Sequence, residues 1–127
     1  MEPPRFADPI AQYQYALSLH SSGSLDEAAA QYRQLLSQFP YNPLVLTGLG
    51  TVALQQGKLD EGIQLLGMSV EIEPNQPMAH CHLGLALRDV QRLDEALICF
   101  DRALALAPDF GDAYNFRGVV LQELKKF

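Results

Sequence analysis

Residues 42–74 read NPLVLTGLGTVALQQGKLDEGIQLLGMSVEIEP, and residues 76–108 read QPMAHCHLGLALRDVQRLDEALICFDRALALAP. Set 34 positions apart, the two stretches place proline on proline at Pro43 and Pro77 and again at Pro74 and Pro108. Leu59-Asp60-Glu61 falls on Leu93-Asp94-Glu95, and Gly50 on Gly84. The same period extends backward to Pro9, Pro40, Leu25-Asp26-Glu27 and Ala16. Self-similarity at this spacing marks a stacked array in which each unit buries its apolar face on the next.

The columns of the repeat each have a physical task. Asp8-Pro9 and Asn42-Pro43 pair a side chain that accepts an orphan backbone N–H with a proline that has none to leave unpaired, so each starts a helix. Gln76-Pro77 keeps the proline with a weaker cap. Breaks follow at Ser22-Gly23-Ser24, Gln56-Gly57-Lys58 and Val90-Gln91-Arg92. After each, Asp26, Asp60 or Asp94 is expected to cap a second helix that runs to the closing proline. Each unit is therefore a pair of short amphipathic helices. Ala16, Gly50, Gly84 and Gly118 share one small column, and Ala28, Gly62 and Ala96 another, letting the paired helices approach closely. Tyr32, Leu66 and Phe100 supply one large apolar group to each second helix, while Leu25, Leu59, Leu93 and Phe127 anchor the turns.

These residues resemble the tetratricopeptide repeat family across positions 9 to 127. The resemblance implies an all-α, right-handed α-solenoid of antiparallel helix–turn–helix repeats: units 9–42, 43–76 and 77–110, then a half unit 111–127, preceded by a tail at 1–8. Two departures stand out. Gln12, Leu46 and His80 occupy the family's bulky aromatic position, where Tyr114 alone conforms, and Arg117 replaces a usual leucine. The last unit stops at the turn position, so Tyr114, Gly118 and Leu121 are expected to lack a covering helix. The 127 residues then read as the opening part of a longer protein.

Composition narrows the function classes. Apolar residues make up 48% and charged residues 19%, which rules out a disordered chain. Nine basic residues against 15 acidic give a net charge of −6, and the basic ones are scattered, so nucleic acid is a poor partner. Cys81 and Cys99 make no disulfide framework and read as buried thiols of a reducing, cytoplasmic setting. Met1-Glu2-Pro3-Pro4-Arg5 is no signal peptide, and the apolar run Leu44 to Leu54 is too short to span a membrane.

No catalytic constellation, cofactor motif or metal-ligand spacing is present, and the chain is not read as an enzyme. His80-Cys81-His82 invites a metal reading, but neighbours on a helix project about 100° apart and do not converge on one ion. His80 falls on a packing position instead. The Asp-Glu pairs lie at helix starts rather than in an acid/base dyad.

The family resemblance implies that first helices line a concave groove that binds a peptide segment of a protein partner. Its lining would be Tyr13, Leu17 and His20; then Leu44, Thr47, Thr51 and Leu54; then Cys81, His82, Leu85 and Arg88; and last Asp112, Asn115, Phe116 and Val119. The groove is thus apolar toward the N-terminal units and more polar toward the C-terminal ones. Two family specialisations are absent. A carboxylate clamp needs lysine, asparagine and arginine where Tyr13, Leu17, Gly48, Met78 and His82 stand. An asparagine ladder needs asparagine at Gln14, Gly48, His82 and Phe116. Two alternatives remain open: a substrate-presenting accessory domain of a larger enzyme such as a glycosyl- or sulfotransferase, and a self-assembly module using the open C-terminal edge.

Overall fold

The computed structural model describes residues 8–126. Seven helices follow one another: α1 Pro9–Ser21, α2 Leu25–Gln38, α3 Pro43–Gln55, α4 Leu59–Ile72, α5 Pro77–Asp89, α6 Leu93–Leu106 and α7 Gly111–Leu124. They form a right-handed α-solenoid of antiparallel hairpins, α1–α2, α3–α4 and α5–α6, with α7 stacked on the last.

The helix starts follow the sequence closely. Asp8 Oδ1 accepts from Ala11 N at 2.9 Å, and Asn42 Oδ1 accepts from Leu44 N at 3.0 Å. Gln76 makes no cap bond. Its side chain instead accepts from Thr47 Oγ1 at 2.8 Å and donates to Ser69 Oγ at 3.0 Å and Glu73 O at 2.8 Å. Ser69 is fully buried and donates to Pro43 O at 2.9 Å, so this polar knot pins α3, α4 and the following loop together.

The second helices correct one expectation. Asp26, Asp60 and Asp94 do not cap them; α2, α4 and α6 start at Leu25, Leu59 and Leu93, two residues earlier than such caps would set. The acid pairs lie inside the first turn, where they favour the helix through charge at its positive end. Asp26 accepts from Gln56 Nε2 of the next hairpin at 2.7 Å. Each preceding turn contains one left-handed residue, Gly23 at φ +83°, Gly57 at +81° and Gln91 at +65°. The first two need no Cβ penalty, whereas Gln91 carries one.

The small columns let the hairpins close. Ala16 and Ala28 are fully buried, and a Cβ on Gly84 would stand 2.9 Å from the Phe100 ring. A Cβ on Gly62 would collide with Leu54 and approach Gly50 O at 3.1 Å. Tyr32, Leu66 and Phe100 are all fully buried, as their column requires. The divergent aromatic column is buried as well. Gln12 is satisfied by donating to Gln31 Oε1 at 3.1 Å and Gln34 Oε1 at 2.9 Å, and His80 Nε2 lies 2.8 Å from Pro74 O. Tyr114, the one aromatic of that column, is 55% exposed, and a Cβ on Gly118 would meet nothing within 4 Å. Among the described residues nothing covers Tyr114 and Gly118 on the seam face of α7. Arg117 pairs with Asp101 of α6 at 2.6 Å, which accounts for a charge where the repeat has leucine. Phe127 and residues 1–7 lie outside the described residues, and with them the expected Phe127 anchor.

Candidate binding groove on the first helices

Successive first helices touch one another, α1 to α3, α3 to α5 and α5 to α7, whereas successive second helices do not. The stack therefore curves with the first helices on its inner side. Pro9, Pro43 and Pro77 start these helices in equivalent registers, so one repeat column becomes one row across the groove. The rows at the two ends of a first helix are about 16 Å apart, eleven residues at 1.5 Å each.

The row nearest the helix starts is Ile10, Leu44 and Met78, exposed by 70%, 59% and 55%. Beside it a cavity of about 240 Å³ is lined by Pro9, Ile10, Tyr13, Leu35, Phe39 and Leu44. The sequence reading included Leu44 but missed Ile10 and Met78, although the shared column was the signal that would have found them.

Deeper in the groove the expected residues divide. Leu17 is exposed, and Tyr13, Leu85 and Phe116 are half-buried, Phe116 stacking at 5.9 Å on Phe100. Asn115 is exposed on α7. Thr47 and Thr51 are half-buried with their hydroxyls already engaged. Thr47 holds Gln76 and Ser69, and Thr51 donates to Thr47 O at 2.8 Å. Cys81 is a correction: at 3% exposure it lies in the core, close enough to α7 for Asp112 to act on it, and does not line the groove. Burial first, then the Asp112 charge, raises its thiol above the ordinary range.

At the far end of the helices are His20, Arg88 and two partners, Gln55 and Glu123, that the sequence reading did not single out for the groove. His20 Nε2 lies 2.6 Å from Gln55 Oε1, and Arg88 Nε donates to Glu123 Oε1 at 3.0 Å. His82 is held neutral to lower pH than usual by burial, with His20 as the second cause. Its Nδ1 is buried without a hydrogen-bond partner among the described residues. A second cavity, about 230 Å³, opens between α3 and α5 beside His82 and Asp89. Beneath the first helices the Tyr32 hydroxyl is also buried and unpartnered; burial, then Tyr13, pushes its pKa up to about 12. Among the described residues no cluster of three His, Cys, Asp or Glu side chains can hold a metal ion, and no helix is long and apolar enough to cross a membrane.

A right-handed stack of 34-residue helical hairpins with its first helices turned inward defines a class. A tetratricopeptide repeat family profile matches residues 19–85, and another matches residues 77–110. The chain belongs to the tetratricopeptide repeat family, whose fold is typical of protein–protein interaction. It is 30% identical over 103 residues to a Protein CTR9 homolog of Arabidopsis thaliana, covering 80% of this chain and 9% of that protein. It is 35% identical over 91 residues to the Protein O-mannosyl-transferase Tmtc2 of Drosophila melanogaster, covering 68% and 10%. With a peroxisomal targeting signal receptor of Kluyveromyces lactis it shares 31% over 91 residues, covering 70% and 16%. The chain thus spans between 9% and 16% of the length of these relatives. The first TPR domain of Spaghetti (RPAP3), solved bound to an HSP90 peptide, superimposes with a TM-score of 0.88 at 23% identity, covering 92% of this chain and 93% of that one. A crystal structure of MamA gives 0.82 at 25% identity, covering 87% and 64%.

Proposed function

We propose that this chain is a non-catalytic, cytoplasmic interaction module that holds a peptide segment of a protein partner against its first helices. The observation that carries this reading is the exposed apolar row of Ile10, Leu44 and Met78. Folding leaves these side chains largely in water, yet they recur at one column and sit beside a cavity of anchor size. An extended or helical segment with apolar anchors fits such a row. Leu17, Tyr13, Leu85, Phe116 and Asn115 complete the contact surface, while Thr47 and Thr51 shape its floor. The peroxisomal targeting signal receptor among the relatives agrees with segment recognition.

The test is fluorescence polarisation of labelled synthetic peptide pools against the wild type and a Leu44→Asp, Met78→Asp double variant. Pools with paired leucines should bind the wild type and lose about tenfold or more in the variant at unchanged melting temperature. Failure of every pool to bind at millimolar protein would overturn the reading.

The uncovered seam of α7 favours a second reading, self-association through Tyr114, Gly118 and Leu121. Sedimentation across a hundredfold concentration range decides it, and a constant monomer mass rejects it. The relative named as an O-mannosyl-transferase supports the accessory-domain reading as a third. A coding sequence with no transferase domain linked to this array would dismiss it.

A further inference from the structure

The polar end of the groove is built on a repeating step. His20 of α1 meets Gln55 of α3, and Arg88 of α5 meets Glu123 of α7. Both pairs are 35 residues apart, one more than the repeat, so each joins one column of a first helix to the following column of the next first helix. The same step from α3 to α5 joins Leu54 to Asp89. Leucine has nothing to offer a carboxylate, and this rung is missing. Asp89 is exposed and makes no side-chain hydrogen bond or ion pair among the described residues.

The missing rung coincides with the cavity of about 230 Å³ between α3 and α5. Leu54 and Leu85 supply its apolar wall, Asp89 its charge, and Gln55, Thr51 and His82 its remaining polar edge. The buried, unpartnered Nδ1 of His82 is a further polar atom in the same lining residues.

We propose that this cavity is an arginine subsite of the groove, in which a partner's arginine supplies the absent rung. The proposal rests on the peptide-binding reading above. An arginine stem is apolar and packs on leucine, while its planar fork matches a carboxylate through two parallel N–H donors. The neighbouring rung shows the chemistry within this chain, since Arg88 donates to Glu123 one step along. A lysine places a single point charge there and fits less well. An acidic peptide meets the unpaired Asp89 and the net charge of −6, both repulsive.

The test uses labelled five-residue pools, capped at both ends, with arginine, lysine, alanine or glutamate fixed at the centre and two degenerate positions on each side. The arginine pool should bind on the order of tenfold more tightly than the alanine pool, the ratio a partly screened charge-assisted bond supports. Asp89→Asn should erase that preference and leave the alanine pool unchanged. Asp109→Asn, which removes the same charge from the α6–α7 loop, should preserve it. Equal binding of the arginine and alanine pools, or a preference that survives Asp89→Asn, would overturn the subsite while the groove reading stands. If no pool binds at all, both fall together. Self-association that Asp89→Asn abolishes would give the subsite to a second copy of the chain and overturn its assignment to a partner peptide.

Discussion

Gly48 of α3 lies against the ring of Tyr32 from α2: a Cβ at Gly48 would stand 2.6 Å from Cζ and 2.7 Å from Cε1. The ring thus occupies the space a side chain would take, and it is fully buried. This contact joins the first hairpin to the second. Gly50 and Gly84 do the corresponding work within hairpins, against Leu66 and Phe100 at 2.9 Å. Gly118 occupies the same column on α7 with no neighbour near it.

Alanine at these glycines should therefore act in opposite directions. Gly48→Ala gains up to about 1 kcal/mol of helix propensity but forces a fully buried ring to move, at a cost of about 1–3 kcal/mol. Thermal unfolding should show a net loss of stability. Gly118→Ala keeps the gain without the collision and should raise the melting temperature by a few degrees. A rise for both would mean that the Tyr32 ring has room to shift.

Gln91 is the left-handed residue of the third turn, where the first two turns have glycine. Its backbone bonds match theirs: Arg92 N donates to Leu87 O at 2.8 Å, as Lys58 N donates to Ala53 O at 2.8 Å. The conformation is retained although the side chain opposes it. Gln91→Gly should stabilise the chain by about 0.5–1 kcal/mol despite adding freedom to the unfolded state, because the steric penalty removed is about 1–2 kcal/mol. Urea unfolding checks this, and a lower midpoint would contradict it.

Much of this fold was legible in the sequence because the period places like residues in like environments. Pro9, Pro43 and Pro77 mark helix starts by local chemistry alone, and Tyr32, Leu66 and Phe100 mark core positions by size. The second-helix starts are not legible in the same way, because an aspartate suits both a cap and a first turn, and only backbone geometry separates the two. The groove was less legible. Cys81 lies in a groove column yet is buried in the core, with Asp112 of α7 acting on it, and Thr47 is occupied by Gln76 and Ser69 from other parts of the chain. The His20–Gln55 and Arg88–Glu123 rungs follow a spacing of 35, one more than the repeat, so a search confined to identical columns passes over them.

The Tyr32 hydroxyl gives a pH-dependent stability with a definite sign. Its folded pKa of about 12 lies above the ordinary 10.0, so folding favours the neutral phenol. That contribution is complete below pH 10 and is lost as the pH rises toward 12, where the unfolded chain ionises first. Tyr32→Phe should flatten this alkaline loss, measured as the difference in urea midpoint between the two proteins from pH 9 to 11.5. At neutral pH the variant should be as stable as the wild type or more so, since it removes a buried hydroxyl without a partner. A steeper alkaline loss in the variant would refute the assignment.

The two thiols report on whether the C-terminal hairpin opens. Cys99 is 5% exposed, and burial pushes its pKa up to about 11, against opposing help from Arg102; Cys81 is shifted in the same direction. Raised pKa and burial both deplete the reactive thiolate, so neither thiol should react with a disulfide reagent at neutral pH while the chain is folded. Labelling must then wait for opening, and its rate should rise with urea in step with the loss of helix. Asp112 of α7 acts on Cys81, and Gly118 of the same helix has no neighbour within 4 Å, so fraying of that one helix should expose Cys81 before Cys99. Mass spectrometry of partially labelled protein should accordingly find the modification on Cys81 first. Equal or reversed order would show that α7 is held as firmly as the paired helices.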